Sequence, residues 1–158
     1  MKILVFSDSH QDVKAVSRLL SRVDEYDKVV FCGDGIEHVW EYRDLYLKKF
    51  EIVRGNCDDY LAPEEITFFA EGIKFFVAHG HRYGVRSRLD MLSSTALVND
   101  CKVALYGHSH VADATYTPEG VLCINPGHLC PPAESATFCE LTVTEGNISY
   151  NFRKLSDI

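Results

Sequence analysis

Residues Val103 to His110 read V-A-L-Y-G-H-S-H. A short apolar run stops at a glycine and then presents two histidines, one residue apart. The same shape occurs near the start, where Ile3 to His10 read I-L-V-F-S-D-S-H. A brief, unbroken apolar run bounded by turn residues is the pattern of a strand buried on both faces. The polar ending is what the chain presents where it leaves the sheet.

Working outward, the same logic predicts strands at Lys2–Phe6, Val29–Cys32 and Phe50–Val53. Helical spacing predicts helices between them at Val13–Val23 and Val39–Leu47. The order β-α-β-α-β implies a parallel sheet with crossover helices. The second half changes character. Glu65–Phe69 and Ile73–Ala78 flank E-G as a hairpin. Ala112–Tyr116 and Val121–Ile124 flank P-E-G, and Thr137–Thr144 and Ile148–Arg153 flank E-G-N. Ser87–Val98 reads as a helix and Val103–Tyr106 as a strand. The expectation is an α/β fold of two packed sheets with helices outside, a single domain over residues 1–158.

Five of these strands end alike. The endings are Asp8-Ser9-His10, Gly33-Asp34, Gly55-Asn56-Cys57-Asp58, His79-Gly80-His81 and Gly107-His108-Ser109-His110. Sites in α/β sheets form at the carboxyl ends of strands, so the five should converge. Asp, Asn and His offer oxygen and nitrogen donors suited to Mn²⁺, Fe²⁺, Co²⁺, Ni²⁺ or Zn²⁺. On an extended backbone, residues i and i+2 face the same way, which would pair Asp8 with His10 and His108 with His110. The donors are too many for one four-coordinate ion, which implies two. A capped or core histidine is the plainer reading for His38, His81 or His128 taken singly. It does not serve five clusters together, since a buried unsatisfied polar group costs about 1–3 kcal/mol.

Bulk properties set limits. The 158 residues carry 23 acidic and 16 basic side chains, a formal net charge of −7, with 46% hydrophobic content. That balance argues against a long nucleic acid or a membrane surface as partner. It does not exclude a small phosphoester, because bound cations reverse a local field. The opening apolar run ends at Ser7, too early for a signal peptide, and no stretch has the length of a membrane span, so a cytoplasmic location is expected. The six cysteines form no C-x-x-C pair. Cys32, Cys101, Cys123, Cys130 and Cys139 read as small buried residues of a reducing compartment.

In this order D-S-H, G-D, G-N-C-D, H-G-H and G-H-S-H resemble the signature of the calcineurin-like metallophosphoesterases. The similarity is greatest to the small phosphodiesterases of the YfcE type, over nearly the whole chain and including the N-P-G loop at Asn125–Gly127. The resemblance implies a four-layer α-β-β-α sandwich. It implies that Asp8, His10 and His110 hold one ion, that Asn56, His79 and His108 hold the other, and that Asp34 bridges them. It further implies Asn56, Asp34 and His108 as catalytic residues, and Mn²⁺ as the favoured metal with Ni²⁺, Fe²⁺, Co²⁺ or Zn²⁺ as alternatives. A hydroxide bridging ions about 3.5–4 Å apart would attack phosphorus in line. Histidine ligation predicts metal affinity and activity that fall as pH drops through about 6.5.

Two departures from the wider superfamily bear on mechanism. Many members read G-N-H-E or G-N-H-D, with a histidine that helps protonate the leaving group. Cys57 stands there, as is typical of the YfcE-type group, and a thiol of pKa about 8.5 is a poor substitute. Good leaving groups such as aryl phosphates are therefore expected. Cys57, Asp58, His81 and His128 are the candidates for supporting the ligands or donating that proton, with Asp58 read as orienting a neighbour. The second departure is N-P-G-H in place of N-P-G-S, which brings in His128. Arg82, Arg86 and Arg88, and Arg54, read as a solvated face or as phosphate capture.

The leading reading is a metal-dependent phosphodiesterase acting on a small phosphoester. A protein-interaction scaffold of the same fold, and a nucleotide-specific phosphohydrolase or nuclease, are the alternatives. A homo-oligomer stays open.

Overall fold

The computed structural model describes residues 1–132 and 134–158. Side-chain alternation along the first strand, β1 (Lys2–Phe6), sets the layering. Ile3 and Val5 face one way, into a core shared between two sheets. Leu4 and Phe6 face the other way, onto the helices α1 (Val13–Leu20) and α2 (Ile36–Leu45). A period of two therefore feeds two separate cores from one strand, which explains why the run shows no polar positions.

The first sheet has the order β10-β9-β1-β2-β3, with β2 at Lys28–Phe31, β3 at Phe50–Ile52, β9 at Thr137–Thr144 and β10 at Asn147–Lys154. β1, β2 and β3 run parallel, and β9 and β10 add antiparallel. The second sheet has the order β4-β5-β6-β8-β7, with β4 at Glu65–Ala70, β5 at Ile73–Ala78, β6 at Val103–Leu105, β7 at Ala112–Tyr116 and β8 at Leu122–Pro126. β5, β6 and β8 are parallel there. Phe75, Val77, Leu105 and Ile124 face the first sheet, while Phe76, Ala78, Ala104 and Cys123 face α3 (Asp90–Val98). The layers are helices, sheet, sheet, helix, the four-layer α-β-β-α sandwich expected.

All three expected hairpins form. Two of them turn through Glu-Gly pairs, Glu71-Gly72 and Glu145-Gly146, whose φ values are all positive. Two left-handed residues match the twist of the flanking strands, and glycine adopts that backbone freely.

Helix boundaries differ from the periodic reading. α1 stops at Leu20, because Arg22 N–H bonds back to Leu19 O over three residues and Val23–Glu25 forms a separate 3₁₀ turn. α3 begins at Asp90, not Ser87, because Ser87 and Arg88 N–H both close a turn on Gly84 O. α2 begins three residues before Val39, for a reason that lies in the site. Among the described residues, no helix is long and apolar enough to cross a membrane.

Candidate metal centre

The five polar strand endings meet at one edge. His79 follows β5, and its Nδ1 lies 2.7 Å from Cys32 O, just beyond β2. A carbonyl only accepts, so Nδ1 carries the proton and Nε2 of the neutral ring presents a lone pair. That Nε2 lies 3.3 Å from Asp34 Oδ2 and 4.0 Å from Asp8 Oδ1. From the far side of the sandwich, His108 N–H donates to Asp8 Oδ2 at 3.0 Å. His110 Nε2 approaches Asp8 Oδ1 at 3.1 Å and His10 Nε2 at 3.2 Å.

These contacts sort into donor sets. Asp34, His79 and His108 form one group whose ligand atoms lie within 4.8 Å of each other. His10, His110 and Cys130 form a second, and His10, Asp34 and Cys57 a third. Asp34 belongs to two of the three. Asn56 is exposed, with its amide donating to Cys57 Sγ at 3.3 Å. The next residue's N–H binds Asp34 Oδ1 at 2.8 Å and holds that loop against the carboxylate.

The pairing of His108 with His110 expected from extended backbone is corrected, while His10 Nε2 stays 3.9 Å from Asp8 Oδ1. Asp8, His10, Asp34, His108 and His110 all have left-handed backbones, with φ between 42° and 67°. Asp and His tolerate that region better than most residues, at a cost of order 1 kcal/mol each. The turn separates His108 and His110, so that the first joins Asp34 and His79 while the second faces His10. Strain gathered at one sheet edge is a sign of function.

Glycine at 107 is obligatory for this approach. A Cβ there would lie 2.0 Å from Ser7 Oγ and 2.7 Å from Asp8 Oδ2. Asn125 then pins the loop between the two histidines, donating to Gly107 O at 2.9 Å and Ser109 Oγ at 2.8 Å.

Electrostatics follow from burial and proximity. Burial raises the Asp8 carboxyl, against the lowering influence of His79 and His110. Asp34 is also disfavoured by burial, but the His79 ring beside it and the Cys57 N–H outweigh this and hold it below the usual carboxylate range. His79 is likewise lowered by burial, but Asp34 and Asp8 more than compensate and raise it. Burial, then His79 and Arg86, bring His108 down to about 4. Cys57 is an exposed residue, yet its sulfur is partly desolvated against Asp34, and the two effects push it up to about 11. That makes it a weaker acid than a free thiol.

Asp58 binds no candidate ligand side chain. Its Oδ2 accepts from Asp34 N–H at 2.8 Å and Gly55 N–H at 2.7 Å. Its Oδ1 accepts from Gly35 N–H at 2.7 Å and Ile36 N–H at 3.0 Å. The carboxylate therefore caps α2 from another loop, which is why that helix starts before its apolar period. Asp58→Ala leaves these four donors unpaired. A loss of about 3 kcal/mol is expected, roughly 6–12 °C in Tm by thermal denaturation. A shift under 2 °C would show that the cap contributes little.

Of the arginines, Arg54 and Arg82 are both tied to Glu64, and Arg88 pairs with Asp90 at 3.3 Å. Arg86 alone leans over the site, 3.4 Å from His108 O. His81 packs 5.5 Å from the His79 ring, with its Nδ1 buried and unpartnered. His128 packs 5.5 Å from the His110 ring, so the N-P-G-H loop does face the site. His38 sits half-buried on α2 and joins none of the donor sets. Cys130, expected as a small buried residue, is instead half-buried and joins the donor set of His10 and His110. Its signal was its place two residues beyond His128 on that loop.

The calcineurin-like phosphoesterase superfamily domain matches residues 1–146 of this sequence. The chain belongs to that superfamily. It is 33% identical over 155 residues to a probable metallophosphoesterase of Mycoplasma pneumoniae, covering 94% of this chain and 93% of that protein. It is 24% identical to a phosphodiesterase of Methanocaldococcus jannaschii, over 82% and 85% of the two chains. A conserved uncharacterized protein of Streptococcus pneumoniae, a predicted phosphoesterase, superposes with a TM-score of 0.82 at 26% identity, covering 98% of this chain and 90% of that one. The calcineurin-like phosphoesterases use divalent metal ions, and the donor sets are where this member has the residues to hold them.

Proposed function

We propose that residues 1–158 form one phosphoesterase domain that hydrolyses a small phosphodiester with two divalent ions, in the cytoplasm. One observation carries the reading. Asp8 Oδ1 and His79 Nε2 are both buried without a hydrogen-bond partner. Each points into a space edged by further acceptor atoms of His10, His110 and Asp34. Lone pairs converging on one another repel, and only a cation or shared protons relieve that. Asp8, His10 and His110 fit one ion, Asn56, His79 and His108 the other, and Asp34 both. Mn²⁺ suits that oxygen and nitrogen set.

When bound, the ions supply an activated water and neutralise charge on the phosphoryl oxygens. The chain's own residues do the rest. Asp58 and Gly55 fix the loop that carries Asn56, and Asn125 fixes the loop that carries His108 and His110. Arg86 is placed to receive a phosphoryl oxygen beside His108. Cys57 is too weak an acid to serve a poor leaving group, so aryl diesters are the favoured substrates. His81 and His128 stand nearest the two donor sets as alternative proton donors.

The test strips the protein with chelator, restores Mn²⁺ and follows bis-p-nitrophenyl phosphate from pH 8 to pH 5. Metal-dependent turnover is expected. It should fall towards low pH as the ligand histidines protonate, and His108→Ala should reduce it by about 10²-fold or more. Two ions bound per chain without turnover on any divalent metal would defeat the enzyme reading and favour a protein-binding scaffold.

A further inference from the structure

The geometry points to Cys130 as a thiolate ligand of the ion held by Asp8, His10 and His110. This rests on the dinuclear reading above and changes what that ion is. Cys130 Sγ and the ring nitrogens of His10 and His110 all lie within 4.8 Å of one another. The same space receives Asp8 Oδ1, whose side chain is fully buried and has no hydrogen-bond partner. The loop is anchored there by backbone, since Leu129 and Cys130 N–H both donate to Asp8 O, at 3.2 and 3.1 Å. The backbone of Cys130 is therefore tied to the strand end that carries the Asp8 carboxylate.

His128 adds a second support. Its Nδ1 lies 3.1 Å from Cys130 O and 3.2 Å from Cys130 Sγ. The carbonyl only accepts, so this nitrogen is a donor, and the sulfur takes the other share of its N–H. A sulfur that accepts suits a thiolate. The ring also packs against His110, so the pair braces the ligand it neighbours. Metal binding replaces the S–H bond with a metal–sulfur bond and releases the proton to solvent.

Two imidazoles, a carboxylate and a thiolate are a softer set than the Asn56, His79 and His108 side offers. Such a set selects Zn²⁺, Fe²⁺ or Co²⁺ over Mn²⁺. The two halves of the centre thus differ in metal preference, with the softer ion beside His128 and the harder one beside His79.

The experiment titrates metal-stripped protein with Co²⁺ and records the near-ultraviolet spectrum. A thiolate-to-cobalt charge-transfer band is expected in the wild type and in Cys57→Ser, and is lost in Cys130→Ser. Cys130→Ser should also weaken one of two Zn²⁺ sites by about tenfold or more while sparing Mn²⁺ binding. As a measurement on unaltered protein, bound Zn²⁺ should slow iodoacetamide alkylation of Cys130 by about tenfold or more, read by mass spectrometry. Two bound Co²⁺ per chain with diester turnover and no band would overturn the thiolate and leave the dinuclear reading standing. A band that survives Cys130→Ser and disappears in Cys57→Ser would move the sulfur to the other thiol. No Co²⁺ binding would end both.

Discussion

Asp34→Asn is expected to lower phosphodiester turnover by about 10³-fold while leaving the fold intact. Asp34 is 2% exposed and belongs to two donor sets at once. Its Oδ1 accepts from Cys57 N–H at 2.8 Å, and an amide oxygen can keep that bond. Its Oδ2 faces His79 Nε2 at 3.3 Å, and an amide nitrogen there would donate to the ring's lone pair. The substitution thus satisfies the neighbours, removes the charge and caps a ligand nitrogen in one step. Metal content should drop from two ions per chain towards one, as read by elemental analysis beside the rate. Turnover within tenfold of wild type with two ions retained would mean that Asp34 bridges nothing.

Asp8→Asn should divide stability from function. Its carboxyl has a raised pKa in the folded, metal-free chain, above the ordinary value of 3.8, chiefly through burial. A group whose pKa rises on folding binds protons more tightly when folded. Its contribution is therefore favourable below about 3.8, is lost as pH rises through the folded value and leaves a penalty at neutral pH. Asparagine carries no such penalty. Its oxygen can accept His108 N–H where Oδ2 does now, at 3.0 Å, while its amide faces His110. In chelator at pH 7 the variant should be more stable by about 1–3 kcal/mol, or roughly 2–12 °C in Tm. If Asp8 holds an ion as proposed, the order should reverse with metal, because an ion at 100 times its Kd stabilises the wild type by about 2.7 kcal/mol and the variant lacks the proposed ligand. A variant that melts below wild type in chelator would show that Asp8 is not strained without a cation.

The pH behaviour of this centre is opposed within itself. His79 is raised and His108 is lowered to about 4. In the metal-free protein the His79 contribution is complete below its unfolded value and fades as pH rises through the higher folded value. The His108 contribution runs the other way and is lost as pH falls from about 6.5 towards 4. Competition between protons and metal should therefore be felt first at His79, on the way down from neutral pH.

Local sequence determined more of this architecture than is usual. Each strand was visible because apolar runs such as Ile3–Phe6 and Val103–Tyr106 end abruptly, and each hairpin because Glu-Gly or Pro-Glu-Gly interrupts them. The residue types at five strand ends announced metal chemistry before any contact was known. Those signals lie within a few residues of one another, and a short window of chain contains them whole.

Other features depend on which strands become neighbours. The crossed order of the second sheet, β5-β6-β8, sets Asn125, near the end of β8, against the loop between His108 and His110. The anchoring of Leu129 and Cys130 on Asp8 O then brings a thiol to the first strand's histidine. Asp58 capping α2, Arg86 approaching His108 while Arg54 and Arg82 are held by Glu64, and the left-handed turns that send His108 and His110 to different partners are of the same kind. Residue type and spacing state which groups a segment carries. Backbone hydrogen bonds between segments far apart in the chain decide where those groups point, and only the folded sandwich contains them.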